Sequence, residues 1–191
     1  MKKGKSTKKK VQPYEIGELD QYLFGQGNHY EIYQKMGAHK VTCKGKEGVY
    51  FAVWAPHARR VAVIGDFNDW DFEANYMDRQ EPLGIYTCFV PGVKEGDLYK
   101  FCIETEQGKR IFKADPFANY AELRPGTASR VTDISHLKWT DDAWMKARET
   151  WDHKKRPMSI YEVHLGSWMR HPGREDEGFY TYREFADAIV K

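Results

Sequence analysis

The sequence is poor in cysteine and has no long apolar run. Its three cysteines, Cys43, Cys88 and Cys102, form no Cys-x-x-Cys pair, which indicates free thiols in a reducing compartment and no disulfide framework. No segment approaches the roughly 20 apolar residues of a membrane span, and the basic N-terminus is not followed by the apolar core of a signal peptide. These absences predict a soluble, cytoplasmic protein without a membrane as partner.

Motifs of several enzyme classes are also missing. There is no phosphate-binding glycine loop, no His-Glu-x-x-His and no Gly-x-Ser-x-Gly. The seven histidines are scattered, and no two of them are four residues apart. We therefore expect no metal site.

The net charge of +2 conceals an uneven distribution. Six of the 30 Lys and Arg residues lie within residues 1–10, which hold no acidic residue, so 24 basic residues face 28 acidic ones in the rest of the chain. This mildly acidic body lacks the composition of a nucleic-acid binder. We expect residues 1–10 to be a disordered, solvated tail; the alternative is an arm that binds an anionic polymer.

Residues 11–47 have a helical pattern. Asn28 with Glu31 predicts a helix N-cap and its partner, and Gly37 is placed to end that helix. A shorter turn is expected over residues 20–24. This N-terminal helical segment is expected to pack on a larger domain.

Residues 48–133 consist of short β-rich runs separated by turn residues, which is typical of an immunoglobulin-like antiparallel β-sandwich. In the run 48–54 nearly every residue is apolar. Tyr50 and Phe51 would point to opposite faces of the sheet, so we expect the core to cover one face and a neighbouring segment to cover the other. The sequence thus predicts a mainly β protein.

Residues 134–157 are expected to be a connector that docks by its tryptophans. Residues 158–165, MSIYEVHL, are rich in apolar residues and uninterrupted by turn residues, which predicts a buried strand. Thr181 with Glu184 predicts the capping box of a following helix. A single βα unit cannot cover its own apolar face. Residues 158–191 therefore indicate the start of a larger domain, and we expect the chain to be a piece of a longer protein.

Two motifs stand out against this background. GDFNDWD, residues 65–71, follows an apolar strand, and its Asp and Asn residues favour a turn that leaves Trp70 at a sheet edge. There the indole would offer a flat apolar face to a ligand. The second motif, YEVHLGSW at residues 161–168, lies at the C-terminal end of the last predicted strand.

In order and spacing, several segments resemble the N-terminal part of the 1,4-α-glucan branching enzyme family: VWAPHARRVAVIGDFNDWD, GIYTCFVPG, LYKF, KADPFA, RPGTAS and SIYEVHLGSW. The likeness runs from about Gly37 to Lys191. It implies a glycogen-binding sandwich followed by the first βα unit of an incomplete (β/α)8 barrel of the α-amylase superfamily. It also implies a part in glycogen biosynthesis, α-glucan (glycogen or amylose-like chains) as the partner, and no metal or nucleotide cofactor.

The reaction of that family is a transglycosylation. An α-1,4 bond is cleaved, the oligosaccharide is held on an aspartate, and it is then transferred to a glucosyl 6-hydroxyl to form an α-1,6 branch. Such retention needs two carboxylates about 5 Å apart, and in the superfamily they lie on later strands of a barrel of about 250 residues. The resemblance therefore assigns no catalytic residue here: we expect this chain to be inactive alone and to lack the remaining catalytic barrel of its parent.

The resemblance carries few site residues over. Trp70 matches the tryptophan that stacks on glucose in glycogen-binding sandwiches, and Lys100 in LYKF matches the lysine beside it. A second stacking tryptophan is not evident, and the following hairpin offers Arg110 and Phe112 in its place. The alternative roles are structural: in these, Trp70 only covers the sheet edge, and Lys100 is only a solvent-exposed residue of its strand.

Gly166 and Trp168 would lie near the active-site face of the parent barrel, because active sites form at the C-terminal ends of barrel strands. Alternatively, the neighbouring Glu162 and His164 only pack or hydrogen-bond within the barrel wall. A protein of another class also remains open, namely a free-standing glycogen- or starch-binding module without catalysis.

Overall fold

The computed structural model describes residues 12–152, 154–155, 157–173 and 178–190. The tail predicted for residues 1–10 lies outside these ranges. The chain divides into two compact units, Met1–Leu137 and Lys138–Lys191.

The first unit is an antiparallel β-sandwich, as the sequence predicts. One sheet has the strand order β1-β2-β5-β4; in the other the order is β3-β6-β9-β8, and β7 also pairs with β6. All the paired strands are antiparallel. The strands are β1 Gly37–Cys43, β2 Lys46–Trp54, β3 Ala58–Gly65, β4 Asp78–Gln80, β5 Ile85–Pro91, β6 Leu98–Thr105, β7 Arg110–Lys113, β8 Tyr120–Ala121 and β9 Ser129–Arg130.

The apolar strand β2 has both of its faces covered, which confirms the expectation from its sequence. Phe51 lies in the core between the sheets, together with Val63 of β3 and Phe101 of β6. Tyr50 faces the other way and packs in a second cluster that includes Met36 of the N-terminal segment. Residues 12–36 therefore cover the face of β2 that points away from the core, as a strand without a polar face requires.

The prediction of a helix that begins at Asn28 is wrong. The structure has a helix earlier, α1 Glu18–Gly25, and only a 3₁₀ turn at Ile32–Gln34. From Gly37 the chain forms β1, all seven residues of which pair with β2. The two strands form a hairpin closed by Lys44 and Gly45. This pairing overrides the cap signal at Asn28, and the sheets consequently begin before the boundary predicted at residue 48.

The second unit contains helices α2 Asp142–Glu149, α3 Leu165–Trp168 and α4 Tyr182–Ile189. The capping box of α4 is confirmed, since Thr181 Oγ1 accepts from the Glu184 N–H and the Glu184 carboxylate accepts from the Thr181 N–H. The strand predicted over residues 158–165 is not formed, and Ile160 is 84% exposed. A buried strand needs partner strands, and none lies beside this segment among the described residues of its unit.

Candidate functional site

The loop after β3 holds Trp70 in an unusual backbone conformation. Asp69 and Trp70 have φ angles of 51° and 60°, in the left-handed region that bulky residues rarely adopt. The Asn68 side chain fixes the loop by accepting from the Gly65 N–H at 2.9 Å and donating to the Val63 carbonyl at 3.0 Å. A strained turn that is so firmly held points to a functional role for the residue it presents.

Asp66 orients the indole of Trp70. Its Oδ1 atom accepts from Trp70 Nε1 at 3.2 Å, while Oδ2 accepts from the backbone N–H of Leu98 at 2.8 Å. One carboxylate thus joins the indole to the beginning of β6. Trp70 remains 37% exposed, so a face of the ring is accessible although its N–H is engaged.

Lys100 lies on β6, two residues beyond Leu98, or about 7 Å along the strand. Tyr99 and Phe101 on either side are fully buried in the core, so strand alternation directs Lys100 to the outer face of the sheet. Its ammonium donates to Thr127 Oγ1 at 2.6 Å. The structure therefore places Trp70 and Lys100 near the same end of β6: Asp66 joins Trp70 to the backbone of Leu98, two residues before Lys100.

The hairpin strand β7 adds an aromatic ring to this face. Phe112 pairs directly with Cys102 of β6, so its side chain shares the face of Lys100, and it is 52% exposed. Arg110, two residues earlier on the same strand, is already engaged by protein groups: its guanidinium lies 3.6 Å from the centre of the Phe72 ring and 2.7 Å from a carboxylate oxygen of Glu73. Of the two residues that the sequence offers, Phe112 is the one that presents an open ring.

Sequence reasoning missed two residues that bond to Trp70 and Lys100. Asp66 was assigned only to a turn, and Thr127 was noted only as part of the RPGTAS segment. A capping-type Asp directly after a strand was the one available hint for Asp66. We call Trp70, Lys100, Phe112 and Thr127 the outer-face surface.

Trp168 and Gly166 lie in the second unit, on α3. The Trp168 indole donates to Tyr161 Oη at 2.8 Å, and its ring lies edge-on to that of Phe185, 4.9 Å between centres. Gly166 is half-buried beside His164. Trp168 therefore serves here in packing, and the place of both residues near the active-site face of a barrel stays a prediction.

The described residues contain no group of three or more His, Cys, Asp or Glu side chains that could hold a metal ion. Nor does any helix within the described ranges have the length and apolar character needed to cross a membrane. The three cysteines are free thiols, and burial raises the pKa of the Cys88 thiol to about 12. At neutral pH Cys88 is therefore a packing residue rather than a nucleophile.

The sandwich unit is similar in sequence to known proteins. Residues 35–118, which include Trp70, Lys100 and Phe112, match the family Carbohydrate-binding module 48 (Isoamylase N-terminal domain). The sandwich is thus similar to this family over residues 35–118. A solved pullulanase complexed with maltotetraose, from Anoxybacillus sp. LM18-11, is 22% identical with a TM-score of 0.46, over 66% of this chain and 16% of that one.

Relatives among curated proteins extend the match to both units. The chain is 56% identical over 176 residues to the 1,4-alpha-glucan branching enzyme GlgB of Butyrivibrio fibrisolvens, covering 92% of this chain and 28% of the relative. It is 50% identical over 175 residues to the enzyme of the same name from Protochlamydia amoebophila (strain UWE25), covering 92% and 24%. The chain is therefore similar to the N-terminal part of 1,4-alpha-glucan branching enzymes and spans about a quarter of the length of these curated relatives.

Proposed function

We propose that this chain binds α-glucan through the outer-face surface and is the glucan-binding part of a 1,4-α-glucan branching enzyme. The observation that carries the proposal is the constrained, exposed Trp70, held in a left-handed conformation and oriented by Asp66. The similarity to branching enzymes supports the choice of sugar.

The chemistry of the surface suits a neutral polymer of pyranose rings. Each ring has apolar C–H faces, which pack well on exposed aromatic rings such as those of Trp70 and Phe112. Its hydroxyl groups lie at the rim and need hydrogen-bond partners. The Lys100 ammonium has three donors, so its bond to Thr127 leaves donor capacity for sugar hydroxyls.

The branching reaction itself is proposed for the parent protein, with glycogen as its product. We assign no catalytic residue to this chain, because the carboxylates of the family's retaining mechanism belong to later barrel strands. The remaining partner would be the catalytic barrel of the same parent chain. An iodine-stain assay on the 191-residue chain is expected to show no new branching; the appearance of α-1,6 linkages would contradict this assignment.

A Trp70→Ala variant tests glucan binding. Burying the 37% of the Trp70 surface that is exposed, on the order of 80 Å², contributes about 2 kcal/mol at ~25 cal/mol per Å². We therefore expect about 30-fold weaker binding to glycogen in co-sedimentation.

Trp54→Ala is the matched control. Trp54 is a half-exposed tryptophan of the other sheet, with its indole N–H bonded to the Leu83 carbonyl at 2.9 Å, and its loss should leave affinity within about twofold of the wild type. Unchanged glycogen binding by a folded Trp70→Ala chain would overturn the proposal.

The free-standing module remains the second candidate. It predicts a parent without a barrel, whereas the similarity to branching enzymes covers 92% of this chain, the second unit included. That extent supports the first proposal.

A further inference from the structure

A cavity of about 480 Å³ lies in the sandwich unit, away from the outer-face surface. Its walls come from three separate stretches of chain: residues 33–34 and 38–40, residue 119, and residues 132–135. The volume falls in the range of small-molecule sites, about 300–1,000 Å³. None of its lining residues belongs to the outer-face surface, so the cavity needs an explanation of its own.

Polar groups in the cavity are oriented before any ligand arrives. The His39 Nε2 atom lies 2.9 Å from the Met36 carbonyl. A carbonyl only accepts, so Nε2 carries the proton, and in the neutral ring Nδ1 is an acceptor. The Asn119 amide nitrogen donates to the Thr132 carbonyl at 3.1 Å, which leaves Oδ1 on the other side of the amide group as a second acceptor.

Charged groups of both signs lie at the cavity. Asp133 accepts the Ser135 backbone N–H at 2.8 Å, and the backbone and side-chain hydrogen bonds of Ser135 lower the pKa of Asp133. Lys40 supplies the opposite charge and lies 3.6 Å from Glu95, which also accepts the Asp133 N–H. With Glu95 beside Lys40, one cation and two carboxylates lie at or next to the walls, which disfavours an anionic ligand. A neutral ligand with many hydroxyls can use the same groups as hydrogen-bond partners.

Tyr33 adds a flat apolar wall. It lies on the 3₁₀ turn Ile32–Gln34, whose first residue packs against the buried cluster of the N-terminal segment. Tyr33 itself is 58% exposed. An aromatic ring beside donors and acceptors provides what a pyranose ring requires: an apolar face to pack on and partners for its hydroxyls.

We propose that this cavity is a second carbohydrate site, which binds a short stretch of α-glucan with one pyranose ring against Tyr33. The identity of the sugar rests on the proposed function, while the site itself is independent of the outer-face surface. Two sites on one module strengthen binding to a polymer, because the second contact becomes intramolecular once the first has formed.

A titration of the isotopically labelled full chain with maltoheptaose, followed by amide NMR, tests this. We expect two separate groups of shifted amides, one around Tyr33 and Asn119 and one around Trp70 and Lys100. Tyr33→Ala should raise the apparent Kd reported by the amides around Tyr33 and Asn119 at least about tenfold, and leave the Kd reported by the amides around Trp70 and Lys100 unchanged. Trp70→Ala should raise the second Kd and leave the first unchanged. Tyr30→Ala is the control: Tyr30 is 84% exposed and does not line the cavity.

The outcomes separate the two proposals. Shifts confined to the Trp70 group, or cavity shifts that survive Tyr33→Ala with wild-type Kd, would overturn the second site and leave the outer-face surface intact. Shifts confined to the cavity group would uphold the second site and refute the outer-face surface. If maltoheptaose shifts neither group, both are wrong.

Discussion

Replacing Tyr99 by Phe removes a hydroxyl that partners a buried carboxylate. Tyr99 is fully buried, and its hydroxyl donates to Asp115 Oδ2 at 2.6 Å. The other described donor to this carboxylate is the Phe117 N–H, at 2.8 Å from Oδ1. A hydrogen bond to a charged group contributes about 1.5–3 kcal/mol, so we expect Tyr99→Phe to lower the free energy of unfolding by about 2 kcal/mol at neutral pH.

The size of this effect should depend on pH. Burial raises the pKa of Asp115, whereas the Tyr99 hydroxyl and the Phe117 N–H act to lower it. A carboxyl with a raised folded-state pKa favours folding in its protonated form, and that contribution is lost as pH rises through the folded pKa. Tyr99→Phe removes one of the groups that lower the pKa of Asp115. The loss in free energy of unfolding should therefore be smallest near pH 3.5, below the ordinary aspartate pKa of about 3.9, and larger at about pH 7.

Urea titrations of the full chain, followed through the amide signals of core strands β3 and β6, measure this. Tyr86→Phe is the matched control, because the Tyr86 hydroxyl is also buried but donates to a neutral acceptor, the Ala58 carbonyl, at 2.7 Å. It should cost about 1 kcal/mol at either pH. Two results would refute this reasoning: Tyr99→Phe costs no more stability than Tyr86→Phe at neutral pH, or Tyr99→Phe costs as much in acid as it does at neutral pH.

Two further predictions concern stability. A Cβ at Gly48 would lie 2.3 Å from the Val90 carbonyl oxygen of the paired strand, so Gly48→Ala should cost about 2–3 kcal/mol in the same urea assay. Gly45→Ala, in open space at positive φ, should cost only about 1 kcal/mol, and equal losses would contradict the clash. In the second unit, the Thr181 N–H and hydroxyl, with a neighbouring histidine, lower the pKa of Glu184 to about 2. The helical chemical shifts of α4 should therefore persist below the ordinary glutamate pKa and be lost toward pH 2. If Glu184 instead titrates at the ordinary glutamate pKa, its hydrogen bonds to Thr181 do not stabilise the helix as argued.

The sandwich could be predicted from the sequence because its longer strands carry their own signal. In β2 the apolar residues run without interruption between turns, and Phe51 and Tyr50 pack on opposite faces as expected. β1 was not predicted, because its sequence GAHKVTC carries few apolar residues and the cap signal at Asn28 competes with its hairpin pairing to β2. β4 and β8, with three and two residues, are too short to show a period.

The candidate site was predictable only in part, for a related reason. Trp70 stands out in a turn-rich motif, whereas its partner Asp66 also bonds to Leu98, 32 residues away. The bond from Lys100 to Thr127 spans 27 residues. Contacts of this kind depend on sheet register, which the sequence alone does not fix.

The conformation of the Trp70 loop bears on how the outer-face surface would bind. Each non-glycine residue in a sparsely populated backbone region costs on the order of 1–3 kcal/mol, and Asp69 and Trp70 are two such residues in succession. The bonds of Asn68 and Asp66 offset that cost in the free protein. Because the indole is already held in place, binding loses little further conformational entropy, so most of the apolar area that a sugar covers can contribute to affinity. A flexible loop with the same tryptophan would bind more weakly, which accounts for a strained turn at this position.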